Sequence, residues 1–151
     1  MIPLLTLNET LMHGLHIDIE RMSYERWRDW LDEAGDDLAS AEILLREGRY
    51  SKVCFLSQQA AEKAVKALLI FKFKRFETIH SVAELLRRAE ASEELVKLGV
   101  ELDRHYITSR YPNAWPLGAP SKMYREEEAV SAVNAARRII EYVEGEIKTN
   151  Y

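Results

Sequence analysis

Residues Tyr50–Phe73 read YSKVCFLSQQAAEKAVKALLIFKF and carry a continuous apolar pattern. Apolar side chains recur there at three- and four-residue steps, at Cys54, Phe55, Ala61, Val65, Leu68 and Leu69. On a helix with 3.6 residues per turn, these positions form one continuous face. Four alanines, Ala60, Ala61, Ala64 and Ala67, keep the relief of that face low, so that neighbouring helices can approach closely. The stretch therefore predicts a buried central helix against which other helices pack.

A first amphipathic helix precedes this stretch. It starts at Ser23, a residue that can cap a helix, and its apolar stripe comprises Trp27, Trp30, Leu31, Ala34, Leu38, Ala41, Leu44 and Leu45. Gly48 stands where the backbone must turn left-handed to leave the helix. Only Glu47, Gly48 and Arg49 separate the two helical patterns, so the central helix is expected to run antiparallel to the first one.

Three further helices are predicted after the central one. The third begins at Thr78 or a neighbouring residue, the fourth runs from Ser92 toward Arg110, and the last runs from Glu126 to Ile147. Residues 111–122 hold three of the four prolines and form a loop, whose Trp115 is expected to pack onto the domain or onto a partner. No strand pattern stands out. The fold class is therefore all-α, an antiparallel up-and-down bundle of about five helices.

Length and composition indicate one domain and exclude several classes of protein. A chain of 151 residues is one domain's length and can build a core without disulfides or metals. The net charge of −4 argues against a generally basic coat for nucleic acid and leaves only local basic patches. Cys54 is the single cysteine, and no apolar run of membrane-spanning length or secretion signal is present. We therefore expect a cytoplasmic protein without a membrane segment or a cofactor, in which Cys54 is a small core residue.

The amino-terminal residues differ from the rest. Residues 1–22 show no sustained period, and the methionines Met12 and Met22 leave open whether the native protein begins later. His13, His16, Asp18 and Glu20 match the spacing of no closed zinc site, so no metal is predicted. We divide the chain into an extension, 1–22, and a helical bundle, 23–148.

Several motifs carry a resemblance to a known family. They are LLREGRY at 44–50, SQQAAEKAVKALL at 57–69, TIHS at 78–81 and SRYP at 109–112. Together they resemble the HEPN domain family over nearly the whole chain beyond the extension. The resemblance implies an antiparallel helical bundle that commonly forms homodimers. Many such domains are ribonuclease toxins paired with a small nucleotidyltransferase, and others are noncatalytic or bind nucleotides.

The ribonuclease members of that family place an arginine and, four to six residues later, a histidine late in the bundle. A histidine can take the 2′-hydroxyl proton of RNA, and an arginine can hold the phosphate charge. In the corresponding region the chain reads RHYITSRY at 104–111, where no arginine is followed by a histidine at this distance. The one literal match, Arg75 to His80, lies at the start of the predicted third helix, where His80 also fits a helix-start role.

The polar residues near the end of the fourth helix suggest an anion or nucleotide site. We predict His105 and Arg104 as candidate catalytic residues, with Arg75 and His80 as the alternative pair. The candidate anion-binding or nucleotide-binding residues are Arg110, Tyr111, Gln58 and Gln59. Each has a structural reading as well: His105 could be a partly exposed histidine on an amphipathic helix, and Arg110 could bond Asp103 or helix-end carbonyls. Lys63, Lys66 and Glu62 are expected on the solvated side of the central helix.

Three functions are compatible with these patterns. The leading hypothesis is a homodimeric HEPN-like interaction module that works with a nucleotidyltransferase partner, in a toxin–antitoxin-type or nucleotide-binding system. The alternative is a metal-independent ribonuclease toxin acting on RNA. A bundle that only scaffolds other proteins is the third reading.

Overall fold

The computed structural model describes residues 26–150. The extension, the cap proposed at Ser23, and the histidines His13 and His16 lie outside the described residues. Within 26–150 the secondary structure is helical, with no strand. Five longer helices and two single-turn helices form a bundle: α1 (Trp27–Arg46), α2 (Tyr50–Phe73), α3 (Val82–Arg88), α4 (Glu93–Asp103), α5 (His105–Thr108), α6 (Pro120–Met123) and α7 (Glu126–Thr149). The all-α bundle predicted from the sequence is confirmed.

Helix α2 is the centre of the bundle, as its apolar pattern predicts. It has the predicted bounds, and α1 and α7 pack along it while α3 to α6 contact it over shorter stretches. Its alanines Ala60, Ala61, Ala64 and Ala67 are fully buried. Cys54 is also fully buried, and its burial raises the pKa of the thiol to about 12, with a further contribution from the charge of Glu128. Cys54 is thus the inert core residue that the sequence predicts.

The connection between α1 and α2 is the tight turn that the sequence predicts. Gly48 has φ +72°, the left-handed conformation that glycine adopts at least cost. The amide of Arg49 donates to the carbonyl of Leu44 over 2.9 Å and closes the end of α1. These contacts bring α2 back along α1 after three residues.

The polar side of α2 is covered, contrary to the prediction. Glu62 and Lys66 are only 4% and 5% exposed and pair with each other over 3.1 Å, while Lys63 is half-buried and pairs with Asp37 over 2.7 Å. The prediction of a solvated face was wrong because α2 is surrounded by other elements on several sides. These charges of α2 are therefore paired within the protein, either with each other or with Asp37 of α1.

The fourth helix is interrupted, which the sequence did not predict. α4 ends at Asp103, and the single turn α5 follows from His105 to Thr108. The hydroxyl groups of Thr108 and Ser109 donate to the carbonyls of Arg104 and His105 over 2.6 and 2.5 Å. Side-chain hydroxyls that bond carbonyls four residues earlier bend helices, which accounts for the break.

The proline-rich segment is ordered against the bundle. It contains a 3-10 turn at Pro112–Ala114, followed by α6. The Trp115 indole donates to the carbonyl of Thr108 over 2.7 Å, and its ring meets the Tyr124 ring edge-on at 5.7 Å. Trp115 thus packs onto the domain, one of the two predicted outcomes. Within residues 26–150, no helix is both long enough and apolar enough to cross a membrane.

Candidate functional site

The residues predicted as one site lie on two sides of the single-turn helix α5. His105 points into the bundle, toward Tyr124 at the end of α6. Arg110 lies with Tyr106 and Tyr111 on another side, against Phe55 of α2. The two groups separate because successive residues on a helix point about 100° apart.

His105 belongs to a buried hydrogen-bond chain. Thr108 donates its hydroxyl proton to the carbonyl of Arg104, so the 2.7 Å contact between Thr108 Oγ1 and Tyr124 Oη uses the tyrosine proton. The 2.8 Å contact between Tyr124 Oη and His105 Nδ1 then requires a proton on Nδ1. This network assigns His105 to the tautomer that is protonated at Nδ1 and leaves Nε2 as an acceptor.

The environment of His105 keeps its ring neutral. The residue is 6% exposed, and burial, with the nearby positive charge of Arg104, lowers its pKa from 6.5 to about 4. Burial likewise raises the pKa of Tyr124 to about 12. The reading of His105 as a partly exposed helix residue was wrong, since the break after α4 turns its ring inward. A histidine with this pKa is a weak base at neutral pH.

Arg110 is surrounded by aromatic rings. Its guanidinium carbon lies 4.5 Å from the Tyr106 ring centroid, 4.7 Å from that of Phe55 and 5.0 Å from that of Tyr111. Its Nε donates to the carbonyl of Tyr106 over 2.8 Å, the helix-end contact that the sequence allows. Among residues 26–150 no carboxylate forms an ion pair with Arg110. The rest of its guanidinium is therefore placed to donate to a ligand.

His80 also contacts the Tyr106 ring. Its ring stacks on Tyr106 with 5.1 Å between centroids and an interplanar angle of 17°. Its Nδ1 lies 3.2 Å from Glu62 Oε1, and its side chain is 56% exposed. A carboxylate bonded to one nitrogen orients the ring and leaves Nε2 for another partner. We call this set of residues, Phe55, Glu62, His80, Tyr106, Arg110 and Tyr111, the Tyr106 surface.

Two sets of part-buried contacts fix the backbone at His80 and at the two residues that follow it. The Gln58 amide donates to the His80 carbonyl over 2.9 Å, and Gln59 donates to Gln58 Oε1 over 2.7 Å. The Asp103 carboxylate accepts from the Ser81 hydroxyl over 2.9 Å and from the amide of Val82 over 2.7 Å. Gln58, predicted as a ligand-binding residue, thus has both ends of its amide engaged within the protein. Gln59 is half-buried beside it.

Arg75 and Arg104 lie away from the Tyr106 surface. Arg75 follows the end of α2 and is exposed, and no contact recorded between described residues joins its side chain to His80. Arg104 is exposed and lines, with His105, a cavity of about 210 Å³. The predicted pair Arg104 and His105 therefore lines one cavity, whereas no contact among residues 26–150 brings Arg75 to His80.

Sequence reasoning missed Phe55, Tyr106 and Glu62. One signal was available for Tyr106, because it lies four residues before Arg110 and shares a helix face with it. No comparable signal exists for Glu62 or Phe55, whose roles depend on how α2 packs against α5. The acidic residues Glu33, Asp36 and Asp37 come close enough to share a cation, but Asp37 is already paired with Lys63. Exposed acidic groups of this kind give no argument for a metal centre.

Known proteins resemble this chain along most of its length. The solved structure of TT1696 from Thermus thermophilus has 37% sequence identity and a TM-score of 0.76, and the match covers 80% of this chain and 97% of TT1696. The structure of ST0689, an archaeal HEPN homologue, has 39% sequence identity and a TM-score of 0.72, and the match covers 81% of this chain and 98% of ST0689. "Putative toxin MJ1304" of Methanocaldococcus jannaschii is 28% identical over 138 residues, 81% of this chain and 88% of that protein.

The motifs, the bundle and these relatives agree with a match to one family. The profile of the HEPN domain matches residues 27–146, which includes α1 and all but the last turn of α7. The chain therefore belongs to the HEPN domain family.

Proposed function

We propose that this HEPN domain binds the phosphate and base of a nucleotide or of an RNA end at the Tyr106 surface. The observation that carries the proposal is the position of Arg110, a guanidinium among three aromatic rings with no carboxylate partner in residues 26–150. Arginine donates to phosphate oxygens through several N–H groups at once, and aromatic rings stack on bases. Tyr111 is 51% exposed and offers such a ring to solvent.

We further propose that the domain acts as a homodimeric interaction module with a nucleotidyltransferase-type partner, in a toxin–antitoxin-type system. The family resemblance and the name of the M. jannaschii relative support this assignment. The exposed apolar residue Ile107 lies beside the Tyr106 surface and is 53% exposed, which a subunit contact would cover. Light scattering of the purified protein tests the dimer, and co-expression with a nucleotidyltransferase gene from the same operon tests the partner.

Calorimetric titration with nucleoside mono- and triphosphates and with short RNA tests the binding site. The informative variant is Arg110→Ala, and the matched control is Arg87→Ala, an exposed arginine on α3 that pairs only with Glu84 in the described chain. We expect Arg110→Ala to weaken binding by about tenfold or more and Arg87→Ala to leave it unchanged. Equal affinities in the wild type and both variants would remove the assignment.

A second function, metal-independent RNA cleavage, is favoured by the contact between His80 and Glu62. In that reaction a base takes the proton of the 2′-hydroxyl, whose oxygen attacks the phosphorus and expels the 5′-oxygen, which then takes up a proton. His80 is accessible and oriented by Glu62 through Nδ1, whereas His105 is buried, neutral and hydrogen-bonded to Tyr124. Arg110 contacts the same Tyr106 ring on which His80 stacks, and it supplies the positive charge for the phosphate.

Cleavage of a fluorescent RNA in the presence of EDTA tests this second function. We expect His80→Ala and Arg110→Ala to abolish cleavage, and a folded His105→Gln variant to retain it. Loss of RNA cleavage in His105→Gln, together with full cleavage in His80→Ala, would show that His105 is the base instead. The wild-type protein could fail to cleave RNA both when expressed alone and when separated from a co-expressed partner. In that case binding would remain as the proposed function of the Tyr106 surface.

A further inference from the structure

A second surface of the protein, separate from the Tyr106 surface, is a groove between α4 and α7. It comprises an open part of about 640 Å³ and, continuous with it, the cavity of about 210 Å³ that His105 lines. The two parts share Glu101 of α4 and Glu127, Ser131 and Ala135 of α7. We call the whole the α4–α7 groove.

The floor of this groove is apolar. In the open part it is formed by Leu98, Val130 and Ala135, and in the cavity by Leu102 and Ala132. Val130 is 38% exposed, although it follows the fully buried Ala129 on the same helix. An apolar strip between two helices is a place where the ridge of a third helix packs. From Glu126 to Arg138 the groove follows α7 for roughly 18 Å, the length of about three helical turns.

The rim of the groove is acidic. Glu101, Glu126, Glu127 and Glu128 line it, against two arginines, Arg104 and Arg138. Arg138 already lies 3.4 Å from Glu94, so its charge is partly satisfied outside the groove. Glu128 in turn accepts from the amide of Arg125 and closes the start of α7. The groups left to meet an occupant are three carboxylates, Glu101, Glu126 and Glu127, and the guanidinium of Arg104. The carboxylates outnumber this cation, so the rim as a whole repels phosphates and attracts cations.

The cavity at the end of the groove holds an acceptor without a partner. His105 is only 6% exposed, and its Nδ1 proton is used by Tyr124. Its unprotonated Nε2 makes no hydrogen bond with another residue of 26–150, and His105 is one of the residues that line the cavity. A neutral imidazole nitrogen beside glutamates suits a ligand that brings N–H donors.

We propose that the α4–α7 groove binds a basic amphipathic helix of a partner protein, with an uncharged side chain that carries an N–H donor seated in the cavity that His105 and Arg104 line. The apolar face of that helix covers Leu98, Val130 and Ala135. Its cationic residues meet Glu101 and Glu127 on the two sides of the groove. The charge of the rim distinguishes this occupant from a nucleic acid, which would be drawn to Arg110 on the Tyr106 surface.

Binding of designed peptides tests the proposal. The probe is a fluorescent helical peptide of about 15 residues with leucine and alanine on one face and lysine on the other, and the comparison peptide carries glutamate in place of lysine. We expect the wild-type protein to bind the lysine peptide at least about tenfold more tightly than the glutamate peptide in about 0.15 M salt. Amide NMR shifts should change at Leu98, Ser131 and Ala135.

Charge reversals at matched positions identify the surface. The double variant Glu101→Lys, Glu127→Lys should bind the lysine peptide with an affinity about tenfold lower or more. Glu93→Lys with Glu141→Lys makes the same change of net charge on the same two helices outside the groove, and it should alter affinity by less than about twofold. Val130→Asn removes part of the apolar floor without changing charge and should also weaken binding, which keeps the test valid if the double reversal unfolds α7.

Three outcomes would overturn the proposal. The glutamate peptide could bind as tightly as the lysine peptide, or the control pair could lose as much affinity as the groove pair. Sedimentation could also show that the groove pair separates a dimer of wild-type chains, in which case a second copy is the occupant. Loss of nucleotide binding in Arg110→Ala, with peptide binding retained, would show that the two surfaces act independently.

Discussion

The side-chain amide of Gln58 donates a 2.9 Å hydrogen bond to the backbone carbonyl of His80, and so ties the middle of α2 to the segment that enters α3. Gln58 is fully buried, and Gln59 donates to its side-chain oxygen over 2.7 Å. A buried amide with both ends satisfied holds one arrangement of its neighbours, because any other would leave polar groups without partners. The position of His80 thus depends on a residue of the central helix.

Replacing Gln58 with leucine should lower the free energy of unfolding by about 1–3 kcal/mol, because the His80 carbonyl and the Gln59 amide lose their partner. Gln59→Leu is the control, since Gln59 is half-buried and bonds only Gln58 among the described residues. Urea denaturation measures both. A smaller loss in Gln58→Leu than in Gln59→Leu would contradict the role assigned to Gln58.

Asp103 fixes the start of α3 from the end of α4. Its carboxylate accepts from Ser81 and from the amides of Val82 and Ala83 over 2.9, 2.7 and 3.1 Å. Asp103→Ala should cost about 2–4 kcal/mol of unfolding free energy, because a charged acceptor is removed from amides at a helix start. It should also weaken the stacking of His80 on Tyr106, visible as a changed shift of the His80 ring protons. Glu101→Ala, an exposed neighbour on α4, should change neither quantity.

Two glycines of the chain should respond in opposite ways to alanine. A Cβ at Gly99 would lie 2.8 Å from the backbone nitrogen of Ala83, which cannot move without shifting α3. Gly99→Ala should therefore destabilise the fold by about 1–3 kcal/mol. At Gly35 in α1 a Cβ meets nothing within 4 Å, so Gly35→Ala should stabilise it by about 0.5–1 kcal/mol. Thermal melting checks both, and a gain at Gly99 would mean that α3 and α4 are not packed this closely.

The sequence was sufficient for the all-α bundle and its central helix, but not for the break in the fourth helix or for the site. Apolar periodicity placed α2 at its observed bounds, and Ser92 was recognised as a helix cap because its chemistry is local. The break after Asp103 escaped prediction, because it depends on where Thr108 and Ser109 direct their hydroxyls. That break decides which side of α5 faces the interior. Helical spacing separates Arg110 from His105 by about 140°, but spacing alone does not show which of these two sides faces the interior.

The contacts of the Tyr106 surface could not be predicted from the sequence either. His80 was recognised as part of an arginine-to-histidine match, but its partners were not, since Glu62 was assigned to a solvated face. The burial of Glu62 and its contact with His80 arise from packing between elements far apart in the chain. Local patterns encode helix faces, whereas contacts between faces depend on the complete bundle.

The neutral state of His105 predicts how stability depends on pH. The pKa of His105 is about 4 in the folded protein and near 6.5 in the unfolded chain, so the unfolded state binds the proton first as the pH falls. This histidine therefore lowers the free energy of unfolding between pH 6.5 and about 4, by up to roughly 3 kcal/mol. In His105→Gln, which cannot titrate, the decline over this range should be shallower. His80→Gln, at an exposed ring, is the control, and equal slopes in wild type and His105→Gln would contradict the burial argument.

The ion pair between Glu62 and Lys66 gives the sharpest test of the covered polar side of α2. Both residues are nearly inaccessible and lie 3.1 Å apart, with the Lys66 ammonium also 5.8 Å from the centre of the Trp30 ring. Lys66→Met should destabilise the fold by about 3–5 kcal/mol, because Glu62 is left charged and buried, with His80 as its one remaining partner among residues 26–150. Changing both residues to methionine should restore much of that stability, since no buried charge remains. Chemical denaturation of the two single variants and the double variant measures the coupling, and additive losses would show that the pair is solvated in solution.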